Sequence, residues 1–207
     1  AYTDGRRPDT VEFVDDITAD LARRDFTFNA IAIDPVDGHL IDPFAGQKDL
    51  EAKVVRAVGN ADERFVEDGL RVLRAARFAA TLECTIDPTT EAAMAHERSL
   101  QTFRKVSAER VRDEWMKTML ARRPSVAFEA MRRTSILGII CPELLPSIGC
   151  EQNKWHAFDV WGHAMACLDA CKPVPVLRIA ALLHDVAKPR TRAFSDKTND
   201  YTFYEHE

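Results

Sequence analysis

The apolar residues change their spacing once, near Asn60, and that change limits the possible folds more than any other feature of the sequence. After it, Phe65, Leu70, Leu73, Ala76 and Phe78 recur at roughly helical intervals, the period that brings side chains to one face of a helix. Asn60 or Asp62 is placed to cap that helix, which the spacing predicts to run to about Leu82. Asp87-Pro88 predicts a cap and a first-turn proline for a helix reaching Arg98. Ser107 is expected to cap another through Leu120, and Pro124 to open one through about Arg133. The stretch 141–149 breaks the pattern, and two helices over about 158–171 and 174–186 follow. Before Asn60 the texture is mixed. Short apolar runs at 11–14 and 30–34, and Asp37-Gly38 ahead of Leu40-Ile41, predict strands and a hairpin. A helix beginning near Asp49 and a strand over 54–58 come next. The fold class expected is α+β and mostly helical.

The net charge of −5 speaks weakly against nucleic acid until it is divided along the chain. Residues 1–68 hold 8 basic and 16 acidic side chains, 69–135 hold 13 and 8, and 136–207 hold 7 and 9, so the middle part is +5 within an acidic chain. A local phosphate-binding surface has that distribution, and so does a solvated helical face. Five cysteines, with no C-x-x-C pair, read as reduced and mostly buried thiols of a cytosolic protein. No apolar run approaches the roughly 20 residues of a membrane span, and the expected location is the cytoplasm. The opening at Ala1 without an initiator Met, and the abrupt end at Glu207, read as the middle of a longer protein.

Three constellations carry chemistry. Residues 23–30, R-R-D-F-T-F-N-A, set two guanidinium groups, a carboxylate and an amide before a strand. Such groups suit phosphate oxygens and ribose hydroxyls, and a charged turn has the same composition. Glu67-Asp68-Gly69-Leu70-Arg71 falls within the long predicted helix, with Asp68 and Arg71 expected as neighbours on one face and Arg74 and Arg77 continuing the stripe. One reading is an intrahelical ion pair. The other is a nucleobase reader, because cytosine and adenine each present an amino donor for the carboxylate beside a ring-nitrogen acceptor for the guanidinium. Third, His163 on one helix and His184-Asp185 at the end of the next offer imidazole and carboxylate ligands for a divalent metal. The turn-rich stretch 42–49 reads as a loop.

Together and in this order the motifs resemble the class II tRNA nucleotidyltransferases, the family of CCA-adding enzymes, A-adding enzymes and bacterial poly(A) polymerases. Residues 2–8 resemble the segment before the family's R-R-D-F-T-x-N-A motif, and 42–49 its head-to-neck connection. Residues 62–78 resemble the E-D-x-x-R neck helix, 109–114 the next neck motif, and 155–206 the HD domain of many bacterial members. The resemblance implies the remnant of an α/β nucleotidyltransferase head over 1–58, an all-helical neck and body over 59–150 that selects nucleotides and binds tRNA, and the start of an HD domain over 151–207. It implies transfer of CMP and AMP from CTP and ATP to the 3′ end of tRNA, with release of pyrophosphate. In that scheme Arg24 contacts the triphosphate, and Asp25 and Asn29 hold the ribose or order its pocket. Asp68 and Arg71 form the amino-acid template, Glu67 orients Arg71, and Arg74 supports the site. The basic stretch 98–133 faces the tRNA. His163, His184, Asp185 and His206 form the HD metal site.

The sequence also departs from the family pattern. The two carboxylates in D-x-D spacing that hold Mg²⁺ in the family occur nowhere in the 207 residues, nor does the glycine-rich turn before them. The chain alone is therefore expected to transfer no nucleotide. The HD pattern ends in a further Asp beyond residue 207. Within the family the rivals are an A-adding enzyme and a poly(A) polymerase. Outside it they are a metal-dependent HD phosphohydrolase and an RNA-binding fragment without catalysis. The sequence does not specify an oligomeric state.

Overall fold

The computed structural model describes residues 16–206, so the expected strand at 11–14, the segment 2–8 and Glu207 lie outside the described residues. The first described part holds helix α1 (Ile17–Leu21), a 3-10 turn (Thr27–Asn29), strands β1 (Ala32–Ile33) and β2 (Leu40–Ile41), helix α2 (Gly46–Glu51) and strand β3 (Val54–Val55). The expected hairpin forms, with Ala32 opposite Ile41 and Ile33 opposite Leu40. Both expected strands are shorter than their apolar runs. Ala30 is consumed in closing the 3-10 turn, through its N–H to the Thr27 carbonyl at 3.0 Å. Beyond β3, Ala57 forms only an isolated antiparallel bridge with Phe26.

The rest is helical: α3 (Ala61–Glu67), α4 (Leu70–Thr81), α5 (Pro88–Ala95), α6 (Glu97–Phe103), α7 (Ala108–Thr118), α8 (Ser125–Arg133), α9 (Leu137–Ile140), α10 (Val160–Ala170), α11 (Pro175–Leu183) and α12 (Lys188–Thr191). Strand β4 (Thr85–Ile86) pairs in parallel with β3, and β5 (Ala193–Ser195) pairs with β6 (Asp200–Thr202) near the end. The class is α+β and mostly helical, as the spacing predicts. No described helix is long and apolar enough to cross a membrane.

The caps show which local rules held. Asn60 accepts from the N–H groups of Asp62 and Glu63, and Asp87 from that of Thr90, so both helices start where the sequence places them. Ser107 stands before α7 without a side-chain capping bond.

The helix expected over 60–82 is two helices, and this correction matters most for the site. Asp68 is extended (φ −144°, ψ 105°) and ends α3, while Gly69 opens α4. At the break the chain passes against the backbone of α6: a Cβ on Gly69 would lie 2.5 Å from the Phe103 nitrogen, so only a residue without a side chain fits there. In the same way the helix expected over 87–98 divides at His96, which is extended between α5 and α6.

One hydrophobic cluster joins these parts. It runs from Phe26 through Phe65, Leu73, Met94, Phe128 and Leu137 to Leu168 and Leu182. Buried Arg178 on α11 reinforces the junction, donating to the carbonyls of Met119 and Ala121 at the end of α7 and to that of Cys171 at the end of α10. Those carbonyls have no partner within their own helices, and they sit at the negative ends of the helix dipoles.

Candidate functional site

Two groups of polar side chains stand out, and α4 builds the first. Arg71 and Arg74, one turn apart, face the turn after α1, where Asp25 lies almost wholly buried. Asp25 Oδ1 accepts from the Phe26 N–H and from Asn29 Nδ2, both at 2.9 Å. Asp25 Oδ2 accepts from Arg74, at 2.8 Å from Nε and 2.6 Å from Nη2. This carboxylate therefore joins three sequence-predicted residues in one network and fixes the Arg74 fork.

Arg71 is held by other partners. Its Nη1 donates to the Arg64 carbonyl at 3.1 Å and to Glu67 Oε2 at 2.9 Å, and its Nη2 to the Arg23 carbonyl at 2.8 Å. A guanidinium has five N–H groups. Among the described residues these contacts engage three of them, leaving Nε–H and one Nη2–H. Asp68 does not pair with Arg71. One of its oxygens accepts from the Leu70 N–H at 3.0 Å, starting α4, and the other from Arg110 on α7 at 2.7 Å. The expected helix-face pair is thus corrected: the break at Gly69 turns Asp68 away from the i,i+3 position and toward α7. Both side chains nonetheless line one open cleft of about 460 Å³, together with Asp25, Asn29, Arg74 and Arg110. Arg24 lies at its edge, its side chain 54% exposed and 3.3 Å from Asp20.

Behind the cleft lies Glu114, which sequence reasoning left without a role. It is 2% exposed and receives Arg77 at 2.5 Å, Lys117 at 3.0 Å and Arg74 at 3.7 Å. Burial pushes its carboxyl up, but the hydrogen bonds from Arg77 and Lys117 and the charges of Arg77 and Arg74 outweigh that, holding it below the usual carboxylate range. The joint at 42–49 is more than a loop. Buried Asp49 accepts from the Thr27 hydroxyl at 2.7 Å and from Arg56 at 3.1 Å, tying α2 beneath the turn that carries Asp25 and Asn29. The basic stretch 98–133 is not a bare positive face, since Arg104, Arg122, Arg123 and Arg133 pair with Glu97, Glu83, Asp169 and Glu91. Such exposed pairs are worth about 0–1 kcal/mol each and yield readily to a phosphate.

The second group forms where α10 packs on the end of α11. His163 Nε2 lies 3.2 Å from His184 Nε2 and 3.6 Å from Asp185 Oδ2. His184 Nε2 is 3.2 Å from the same oxygen, and His206 Nε2 is 3.5 Å from Asp185 Oδ1. All four residues singled out in the sequence meet here. Two others join them: Lys188, with Nζ 2.8 Å from Asp185 Oδ2, and Cys167, with Sγ 3.5 Å from His163 Nε2. Asp185 is 4% exposed, yet among the described residues its Oδ2 accepts no hydrogen bond of adequate geometry, the nearby ammonium included. Burial pushes the His163 imidazole below its ordinary value, although the Asp185 charge pulls the other way. All five cysteines are free thiols.

Residues 1–56 match the model described as "Poly A polymerase head domain", and residues 84–148 match "Probable RNA and SrmB- binding site of polymerase A". A CCA-adding enzyme of Lactobacillus johnsonii is 47% identical over 135 residues, which are 65% of this chain and 33% of that enzyme. The chain thus spans about a third of the length of this curated relative. The crystal structure of the Bacillus stearothermophilus CCA-adding enzyme in complex with CTP superposes with a TM-score of 0.61 at 30% identity, covering 84% of this chain and 45% of that one. A tRNA nucleotidyltransferase complexed with a primer tRNA and an incoming ATP analog superposes with a TM-score of 0.57 at 29% identity, covering 78% and 52%. With matches to the head and the RNA-binding models, and with these relatives, the chain is consistent with the class II family of tRNA nucleotidyltransferases and poly(A) polymerases.

Proposed function

We propose that this chain selects CTP and ATP and presents them to the 3′ end of tRNA for transfer of CMP and AMP, with release of pyrophosphate. The observation that carries this reading is the convergence of Asp25, Asn29, Asp68, Arg71 and Arg74 on one polar cleft, together with relatives solved with CTP and with tRNA. Arg24 at the rim suits a triphosphate oxygen, and Asn29, fixed by Asp25, suits the ribose. Glu67 and two backbone carbonyls immobilise Arg71 and leave a two-donor edge that can meet a ring nitrogen. Asp68 retains lone pairs for an exocyclic amino group. The rejection of uracil and guanine then follows from donor facing donor at Arg71 and acceptor facing acceptor at Asp68.

Mg²⁺ is the expected ion of the transfer step. The residues present do not fit it, because no D-x-D carboxylate pair occurs in the sequence, and no step is assigned to it here. Radiolabel from CTP and ATP entering tRNA that lacks its CCA end tests the reading in the whole protein. Incorporation of both supports it. ATP alone points to an A-adding enzyme or poly(A) polymerase, and neither overturns it.

A second reading rests on the histidine cluster. His163, His184 and Asp185, with His206 against the far oxygen, fit a divalent cation, since among the described residues the buried Asp185 Oδ2 accepts no hydrogen bond of adequate geometry. Such an ion supplies Lewis-acid polarisation of a phosphoryl oxygen. A phosphohydrolase activity that disappears in the His184→Ala, Asp185→Ala double variant while nucleotide addition persists supports this second site. Loss of both activities together in a folded variant overturns it.

A further inference from the structure

We propose that Cys167 is a metal ligand, and that with His163, His184 and Asp185 it forms a four-donor site that prefers zinc-class divalent ions to magnesium. The proposal rests on reading the histidine cluster as a metal centre and adds to it a donor that changes which metal is taken.

Helix α10 places His163 and Cys167 four residues apart, on one face. Helix α11 ends at Leu183, so His184 and Asp185 leave its last turn side by side. The ligand atoms of His163, Cys167 and His184 all lie within 4.8 Å of one another. Zinc bonds of about 2.0–2.1 Å to nitrogen or oxygen and about 2.3 Å to sulfur make tetrahedron edges of about 3.3 Å between N/O donors and about 3.5 Å from nitrogen to sulfur. The observed separations are 3.2 Å between the two imidazole nitrogens, 3.2 Å from His184 to Asp185, 3.6 Å from His163 to Asp185 and 3.5 Å from His163 to the Cys167 sulfur. These four of the six edges each fall within about 0.3 Å of the zinc value, and Cys167 lies within 4.8 Å of His184.

An imidazole–thiol contact by itself accounts for the position of Cys167. It does not account for Asp185 Oδ2, a buried carboxylate oxygen beside both imidazoles that, among the described residues, accepts no hydrogen bond of adequate geometry. Lys188 balances the charge from 2.8 Å, and its ammonium also donates a hydrogen bond to Gln152 Oε1 at 2.8 Å. A cation between the four donors satisfies that oxygen. Thiolate is a soft ligand and imidazole suits zinc, nickel and cobalt, whereas magnesium calls for an octahedron of oxygens. On binding, the Cys167 thiol gives its proton to solvent.

Cobalt(II) titration of the full chain under anaerobic conditions is the direct test. The expected spectrum has a near-ultraviolet thiolate-to-cobalt charge-transfer band with the intense visible bands of tetrahedral cobalt. Cys167→Ser should remove the ultraviolet band and weaken zinc binding at least about tenfold. Cys171→Ser, one turn further on, should leave both unchanged. Millimolar magnesium should not displace the cobalt. A cobalt spectrum without the sulfur band in the unaltered chain overturns the role of Cys167 while leaving a histidine–carboxylate metal site. No cobalt spectrum at all, in a chain that circular dichroism shows to be folded, overturns both.

Discussion

In the cleft, Asp25 is buried with each oxygen engaged by donors from Phe26, Asn29 and Arg74. At the histidine cluster, Asp185 is buried at least as deeply, but among the described residues its Oδ2 accepts no well-formed hydrogen bond and is met only by the charges of Lys188 and the imidazoles. The difference separates two ways of preparing a site. A saturated network holds its forks rigidly before any ligand arrives, so that binding does not first have to order them. A buried oxygen with ion pairing but no well-formed hydrogen bond leaves the empty protein less stable than a saturated one, and a bound ion can offset this.

The contrast can be broken most forcefully at Asp25. Its replacement by Ala leaves Arg74 facing a partly buried gap and strips Asn29 of its anchor. The expected loss is about 3–5 kcal/mol of unfolding free energy, read by urea denaturation. A loss under about 1 kcal/mol would mean that the network is not what rigidifies the cleft. The next effect belongs to the other site. Zinc at about 100 times its Kd should raise the unfolding free energy by about 2.7 kcal/mol, with chelator reversing it and Asp185→Ala abolishing it. The Asp25→Ala variant should keep that response if the two sites are independent.

Arg71→Ala sharpens the comparison through function. In the whole protein, kcat/KM for CTP and ATP should fall together by an equivalent of about 1–3 kcal/mol, and preference over UTP and GTP should narrow. A lowered melting temperature with unchanged nucleotide preference would return Arg71 to a purely structural role. The smallest effect concerns acid. The Glu114 carboxyl is held below its ordinary value in the folded chain, so its contribution is complete above the unfolded value and is lost as pH falls through the folded one. Glu114→Gln should therefore reduce the difference between stability at neutral and at acid pH, measured by denaturant titration across that range.

Much of this was legible in the sequence where the cause is local. Asn60 and Asp87 cap because their side chains reach the next N–H groups, and Asp37-Gly38 turns because glycine accepts a positive φ, here 77°. The cluster of His163, His184, Asp185 and His206 could be named from motif order alone. What could not be read depends on distant backbone. Nothing near residue 68 announces that α6 will press on Gly69, and so neither the break in the helix nor the Asp68–Arg110 contact was foreseeable. Glu114 looked like one acidic residue among several until Arg77 and Arg74 were seen to converge on it. Cys167 did carry a signal, its four-residue spacing from His163, but that signal means little before α11 is known to pack alongside.

Gly69 also bears on how this sequence can drift. Asp68 and Leu70, on either side, can be exchanged at a cost in binding or packing, and a compensating change elsewhere can offset that cost. Position 69 has no such graded route. Alanine, the smallest possible step, already sets a carbon 2.5 Å from the main-chain nitrogen of Phe103, and every larger residue begins with the same carbon. A saturation library across α3 and α4 should therefore return glycine at this codon even when selection is for stability alone, with nucleotide choice left free to vary.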